Sequence, residues 1–133
     1  MIIRGRQLAQ ILARNLGSDK GLVSVAGIRI TARCDEKATR VELARADGKP
    51  IAPEEPLVVI TSDFVATGGD ALFTGIVDPA AIQILEDGPN LRDAIAEVLT
   101  KGGGTLRPDD PKLFSTDHPR WTYPGTRPVS CAP

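Results

Sequence analysis

The apolar positions of this chain follow different rhythms in successive stretches. Between Arg6 and Leu16, the residues Leu8, Ile11, Leu12 and Leu16 recur at helical spacing with polar residues between them, and Gly17 supplies a stop. The spacing predicts a helix. From Leu22 to Arg33 the period falls to two, with Ile28, Ile30 and Ala32 alternating with Arg29, Thr31 and Arg33. That alternation predicts a half-exposed strand, interrupted at Gly27 by a bulge or a close backbone approach. A polar turn over Asp35-Glu36-Lys37-Ala38 leads to a returning strand through Val41, Leu43 and Arg45, so residues 22 to 45 read as a hairpin. Asp47-Gly48 is a second turn signal, and a connector carrying Pro50, Pro53 and Pro56 follows. Ile2 and Ile3, cut off by Gly5, read as the end of a strand.

The stretch from Leu57 to Phe73 organises the rest. It opens as a short β-branched run, Leu57 to Ile60, which predicts a buried strand, and it turns abruptly at Gly68-Gly69-Asp70. Paired glycines before an acid suit a loop that needs positive φ and a definite direction for its carboxylate. Phe64, one of three phenylalanines, sits just ahead of the turn. A strand that delivers an aromatic ring and a carboxylate to one loop is a ligand-binding edge; the bland alternative is a core phenylalanine and a turn-capping aspartate. Further on, Pro79 is placed to begin a short helix. Asn90 is a suitable N-cap for a helix whose face carries Leu91, Ala94, Ile95, Val98 and Leu99, with Lys101 near its end and Gly102-Gly103-Gly104 as its stop. The glycine triplet follows a helix and opens none, so it is no phosphate loop. From Thr105 prolines accumulate, and the tail from 108 to 133 is expected to hold neither regular helix nor sheet, to pack partly through Phe114, Trp121 and Tyr123, and to end in a disordered stretch.

Composition adds mainly exclusions. A chain of 133 residues is one domain by length, and 41% hydrophobic with 25% charged residues is ordinary for a globular domain. The net charge of −1 supplies no basic surface for nucleic acid, and no apolar run reaches membrane-spanning length. Arg29, Arg33, Arg40 and Arg45 share the hairpin, but Glu36 and Glu42 interleave with them and a solvated face is expected. Cys34 and Cys131 are either free thiols or one disulfide that ties the tail to the body. The single histidine, His118, rules out a multi-histidine metal site. In its Pro-rich setting His118 reads as exposed and inert, and Ser115-Asp117-His118 lacks the context of a triad. No signal-peptide layout opens the chain, and its first residues read as the middle of a strand, so a piece of a longer protein is expected.

Four stretches resemble the C-terminal domain of the 5′-nucleotidase family, whose members are metallophosphoesterases that dephosphorylate nucleotides outside the cytoplasm. Arg4-Gly5-Arg6-Gln7-Leu8 is similar to its strand-to-helix junction, and Val23-Ser24-Val25-Ala26-Gly27-Ile28-Arg29-Ile30 to its Val-Ser-Gly-Leu-type strand. Val41 to Pro50 resembles the hairpin and turn that follow. The specific match is Asp63-Phe64-Val65-Ala66-Thr67-Gly68-Gly69-Asp70, which is similar to the family's Asn-Phe-x-Ala-x-Gly-Gly-Asp signature. Asn90 to Lys101 resembles its final helix, so residues 1 to 107 are covered.

The resemblance implies an α+β fold, a layered mixed sheet with packed helices, truncated at its N-terminus. It makes Phe64 the base-stacking residue and Asp70 the polar anchor, with Gly68 and Gly69 letting the backbone pass close to the sugar. Stacking on a flat ring contributes roughly 1–3 kcal/mol per base. The resemblance further implies a nucleoside or nucleotide ligand, and no cofactor in this chain. A separate N-terminal metallophosphoesterase domain carrying two divalent metals is the implied partner, in a periplasmic or extracellular location. Two departures stand out: Leu22 occupies the position of the family's second stacking aromatic, and Ala71-Leu72 replaces Gly followed by Tyr or Phe. These departures keep open an alternative, a non-catalytic scaffold or homodimerisation module that has lost nucleotides. Hydrolysis by this chain alone is not expected, because one histidine cannot supply the ligands of a two-metal centre.

Overall fold

A computed structural model describes residues 1–107, 109–110, 115 and 117–131. The chain divides into two compact units, Met1–Gln83 with Arg120–Pro133, and Ile84–Pro119. The 107/108 boundary suggested by composition falls inside the second unit.

In the first unit, β1 (Ile2–Arg4) pairs antiparallel with β4 (Pro56–Val58), and α1 (Gly5–Leu16) follows β1 without a loop. The helix begins abruptly because its first amides already have acceptors: Gly5 N–H donates to Glu55 O at 3.0 Å and Arg6 N–H to Pro53 O at 2.8 Å. The Pro-rich connector therefore serves as the cap of α1. A second sheet contains β2 (Ile28–Asp35) and β3 (Ala38–Arg45), joined as the expected hairpin with Ile30 opposite Leu43. Glu36 turns the chain with φ 53°.

The apolar stripe of α1 packs on the hairpin. Leu8, Ile11 and Leu12 join Ile30, Leu43, Ile51, Leu57, Leu72, Phe73 and Val77 in one buried cluster. Ile11, Leu16 and Ile30 are almost wholly shielded, each worth about 1.5–3 kcal/mol relative to an exposed side chain. A second cluster of Leu16, Ala32 and Val129 draws in Leu22, Trp121 and Tyr123.

Three expectations require correction. The Leu57 run is a three-residue strand with one exposed side, since Leu57 is buried and Val58 is 74% exposed. Residues 22–27 lie outside the hairpin, and the strand starts at Ile28, just after Gly27 turns with φ 79°. The tail does contribute to a sheet: β5 (Trp121–Thr122) lies parallel beside β2, and Ile30 N–H donates to Arg120 O at 2.8 Å. This pair lies between Pro119 and Pro124 and carries no proline itself, so its backbone is free to bond. The tail is also held further along, as far as Cys131. Val129 is buried, Arg127 Nη2 donates to Asn15 O (2.7 Å) and Lys20 O (2.8 Å), and Cys34 and Cys131 form a disulfide. Phe114 and the last two residues lie outside the described residues.

In the second unit, α3 (Leu91–Lys101) begins as the sequence predicts, with Asn90 Oδ1 accepting from Arg92 N–H at 3.0 Å. Gly102 ends it. Among the described residues no helix is long and apolar enough to cross a membrane.

Candidate functional site

The Phe64 segment is not the end of a strand. Ser62 caps a one-turn helix, α2 (Asp63–Ala66), and places Phe64 on it. The turn is wound by local bonds: Asp63 Oδ1 accepts from Phe64 N–H at 2.8 Å, and Thr67 Oγ1 donates to Asp63 O at 2.8 Å. Such side-chain bonds to nearby backbone divert a β-prone run into a turn.

The two glycines then do different things. Gly68 takes φ 115°, a conformation that costs a side-chain-bearing residue dearly. Gly69 is needed for room, since a Cβ there would lie 2.5 Å from Phe64 Cε1 and 2.6 Å from Phe64 Cδ1. The edge of the Phe64 ring therefore rests on the Gly69 backbone, while the residue as a whole stays 63% exposed. A large aromatic side chain is held in place without being buried.

Asp70 and Ala71 continue with φ 57° and 53°. Left-handed backbone costs a non-glycine residue roughly 1–2 kcal/mol, so this pair must be held by its surroundings. Besides the local bonds of Ala71 N–H to Gly68 O (3.0 Å) and Thr74 N–H to Ala71 O (3.3 Å), two further restraints act on it. Downstream, Leu72, Phe73 and Val77 are buried in the main core. From the side, Arg14 of α1 sends one guanidinium nitrogen, Nη1, to the carbonyls of Thr74 (2.6 Å), Ala71 (3.2 Å) and, at the edge of bonding distance, Leu72 (3.4 Å). Gln7, a heptad earlier on the same side of α1, donates Nε2 to Ile76 O at 2.9 Å while its Oε1 accepts from Arg4 N–H.

The Asp70 carboxylate is exposed, and no described residue bonds it. A ring face and an acceptor-only group are thus offered to solvent from one short loop.

Leu22 is half-buried and packs against the Leu16, Ala32 and Val129 cluster. Its segment is fixed from both sides, since Asn15 bonds Gly21 O (3.0 Å) and Val23 N–H (3.1 Å), and Trp121 Nε1 donates to Val23 O (3.1 Å). Arg14, Asn15 and Trp121 were not read from sequence as supports of these loops. The available signal was the seven-residue spacing of Gln7 and Arg14, which puts both on one side of α1.

Elsewhere, a cleft of about 490 Å³ runs past the edge of β3, lined among others by Arg6, Arg29, Thr31, Arg40 and Ile51. None of its lining residues belongs to the signature loop. Its charges are largely engaged, because Arg6 pairs with Glu54, and Arg40 lies 3.6 Å from Asp35 and 4.0 Å from Glu42. In the second unit, Ser115 Oγ accepts from the His118 backbone N–H at 3.1 Å, which makes a turn and not a triad. Among the described residues no group of three or more His, Cys, Asp or Glu side chains is placed to hold a metal ion.

The family model described as 5′-nucleotidase, C-terminal domain, matches residues 1–77, which is more than half of the chain. The chain belongs to this family. The matched residues include the whole signature loop, its core anchors Leu72, Phe73 and Val77, and the helix that carries Gln7 and Arg14. No curated protein and no solved structure matches the chain. Within this 5′-nucleotidase C-terminal domain the signature is thus a raised platform, braced by α1 from one side and by the core from the other.

Proposed function

We propose that this 5′-nucleotidase C-terminal domain recognises a nucleoside or nucleotide through Phe64 and Asp70. The observation that carries the reading is the Phe64 ring, fixed on Gly69 yet exposed, close in sequence to the exposed Asp70 carboxylate. A fixed, exposed ring face can stack on a flat nucleobase, a contact worth roughly 1–3 kcal/mol per base. Asp70 would accept from ribose hydroxyls or base amines, and Gly68, with open space where a Cβ would lie, leaves the sugar room to approach the backbone, while Gly69 makes room for the Phe64 ring.

In this reading, bond cleavage belongs to an N-terminal metallophosphoesterase domain carrying two divalent metals, and the chain described here performs no hydrolysis alone. Among the described residues no group of three or more His, Cys, Asp or Glu side chains is placed to hold a metal ion, and no step of the chemistry is assigned to them. A periplasmic or extracellular location accords with the Cys34–Cys131 disulfide, since such bonds persist in oxidising compartments.

Titrating adenosine and AMP by calorimetry or NMR tests the assignment. Binding that Phe64→Ala weakens by about tenfold or more, a loss of about 1.4 kcal/mol or more, supports it. Binding that is indifferent to Phe64 refutes it. A second reading, a scaffold or homodimerisation module without nucleotide binding, is favoured by one observation: Leu22, at the position of the family's second stacking aromatic, lies half-buried against the Leu16, Ala32 and Val129 cluster. Absence of any adenosine or AMP binding, together with a concentration-dependent dimer in sedimentation, would favour that reading.

A further inference from the structure

We infer that Arg14 is a positioning residue for the Phe64–Asp70 platform, although it touches neither side chain. The inference rests on the nucleoside-binding reading for its functional consequence, but its structural half stands separately.

The coupling runs through backbone. Arg14 Nη1 holds Thr74 O at 2.6 Å and Ala71 O at 3.2 Å, close to the left-handed pair Asp70 and Ala71. A cation on these carbonyls is a strong, charge-assisted restraint, and it acts at the point where the chain would otherwise relax towards ordinary φ. Relaxation at Ala71 would rotate the peptide ahead of it, and with it the direction of the Asp70 carboxylate. It would also shift Gly69, on which the Phe64 ring rests. The buried Leu72 and Phe73 fix where the loop ends, but their burial does not dictate the φ of the residues before them. Gln7 secures Ile76, further from the strained pair. The turn also has bonds of its own, Ala71 N–H to Gly68 O (3.0 Å) and Thr74 N–H to Ala71 O (3.3 Å), and Arg14 is the side chain from outside the loop that holds the same stretch of backbone.

Lysine is an imperfect substitute, because its single ammonium on a flexible stem reaches less far than the guanidinium nitrogens and spreads its donors in other directions. Ala71→Gly is the complementary change. It makes positive φ cheap at that position and should lessen the need for Arg14.

The experiment is NMR on the labelled chain, with adenosine as the probe ligand. Two signals report the loop directly: the strong intraresidue HN–Hα contacts of Asp70 and Ala71 that mark positive φ, and the ring-current displacement of the Gly69 Hα resonances by Phe64. Arg14→Met should abolish both while leaving the Ile30 and Trp121 amides in place, and should weaken adenosine binding on the order of tenfold. Arg14→Lys should fall between, and Arg14→Met with Ala71→Gly should recover both the ring-current displacement and the affinity. Retention of both loop signals in Arg14→Met overturns the inference, as does their loss with adenosine affinity unchanged. Should Arg14→Met not fold, the Arg14→Met/Ala71→Gly and Arg14→Lys variants decide, and wild-type-like signals in Arg14→Lys or no recovery in the double variant would overturn it. If the parent chain binds no adenosine, the nucleoside reading fails, while the loop signals still judge the latch.

Discussion

The Cys34–Cys131 disulfide joins residues 97 apart, so it closes most of the chain into one loop. In the chain-entropy description, a loop of that length deprives the unfolded ensemble of about 16 cal/mol/K, or ~4.7 kcal/mol at 25 °C. Part of the loop is the second unit, Ile84–Pro119. Removing it from the count leaves a flexible loop of about 60 residues and ~4.3 kcal/mol, because the dependence on length is only logarithmic. The tail stays docked in the absence of the bond through Val129, Trp121 and Arg127, so the change acts mainly on the unfolded state. Replacing both cysteines by serine and unfolding in urea should lower the free energy of unfolding by about 2–4 kcal/mol, the range usually measured for native disulfides. The midpoint should fall with it. A loss below about 1 kcal/mol, or a drop that appears only in signals from Trp121, would refute the loop argument and mark the bond as a local fastening of the tail.

Other expectations follow from single contacts. Gly69→Ala must displace the Phe64 ring or bend α2, and a loss of about 1–3 kcal/mol is expected by thermal melting. The exposed Phe64 predicts the contrast: Phe64→Ala should change stability by no more than about 0.5–1 kcal/mol, read in the same melts. Asn15 is 3% exposed and bonds both Gly21 O and Val23 N–H, so Asn15→Leu should cost about 2–3 kcal/mol in urea unfolding by stranding those groups. Leu16, wholly buried between the hairpin and the tail, should lose about 2–5 kcal/mol on replacement by alanine.

The parts that were legible in sequence are those written in local period and local chemistry. Helix α1, the β2–β3 hairpin and α3 with its Asn90 cap follow from spacing and capping residues a few positions apart. The misread parts are settled by distant contacts or by competition. Val58, Val59 and Ile60 have strand propensity, but the partner strand β1 offers only three residues, and Ser62 then starts a helical turn. The pairing of Trp121 with Ile30 joins residues about ninety apart and leaves no trace in a Pro-rich tail. The site divides in the same way. Phe64, Gly68, Gly69 and Asp70 stand together in a recognisable motif, and the structure keeps them on one loop. Their brace, Arg14, is a polar residue on an amphipathic helix and looks like any solvent-facing position; its importance comes from carbonyls almost sixty residues away.

The return of the tail to the first unit has a practical consequence. Residues 120–131 rejoin the body after the Ile84–Pro119 unit and are bonded covalently to β2 through Cys34. A protease that cuts once within the exposed segments of that unit would therefore leave two polypeptides that still travel together. They would migrate as one species without reductant and separate only when thiol is added. Limited digestion followed by paired gels would map where the second unit opens, and the first unit would serve as an intact handle throughout.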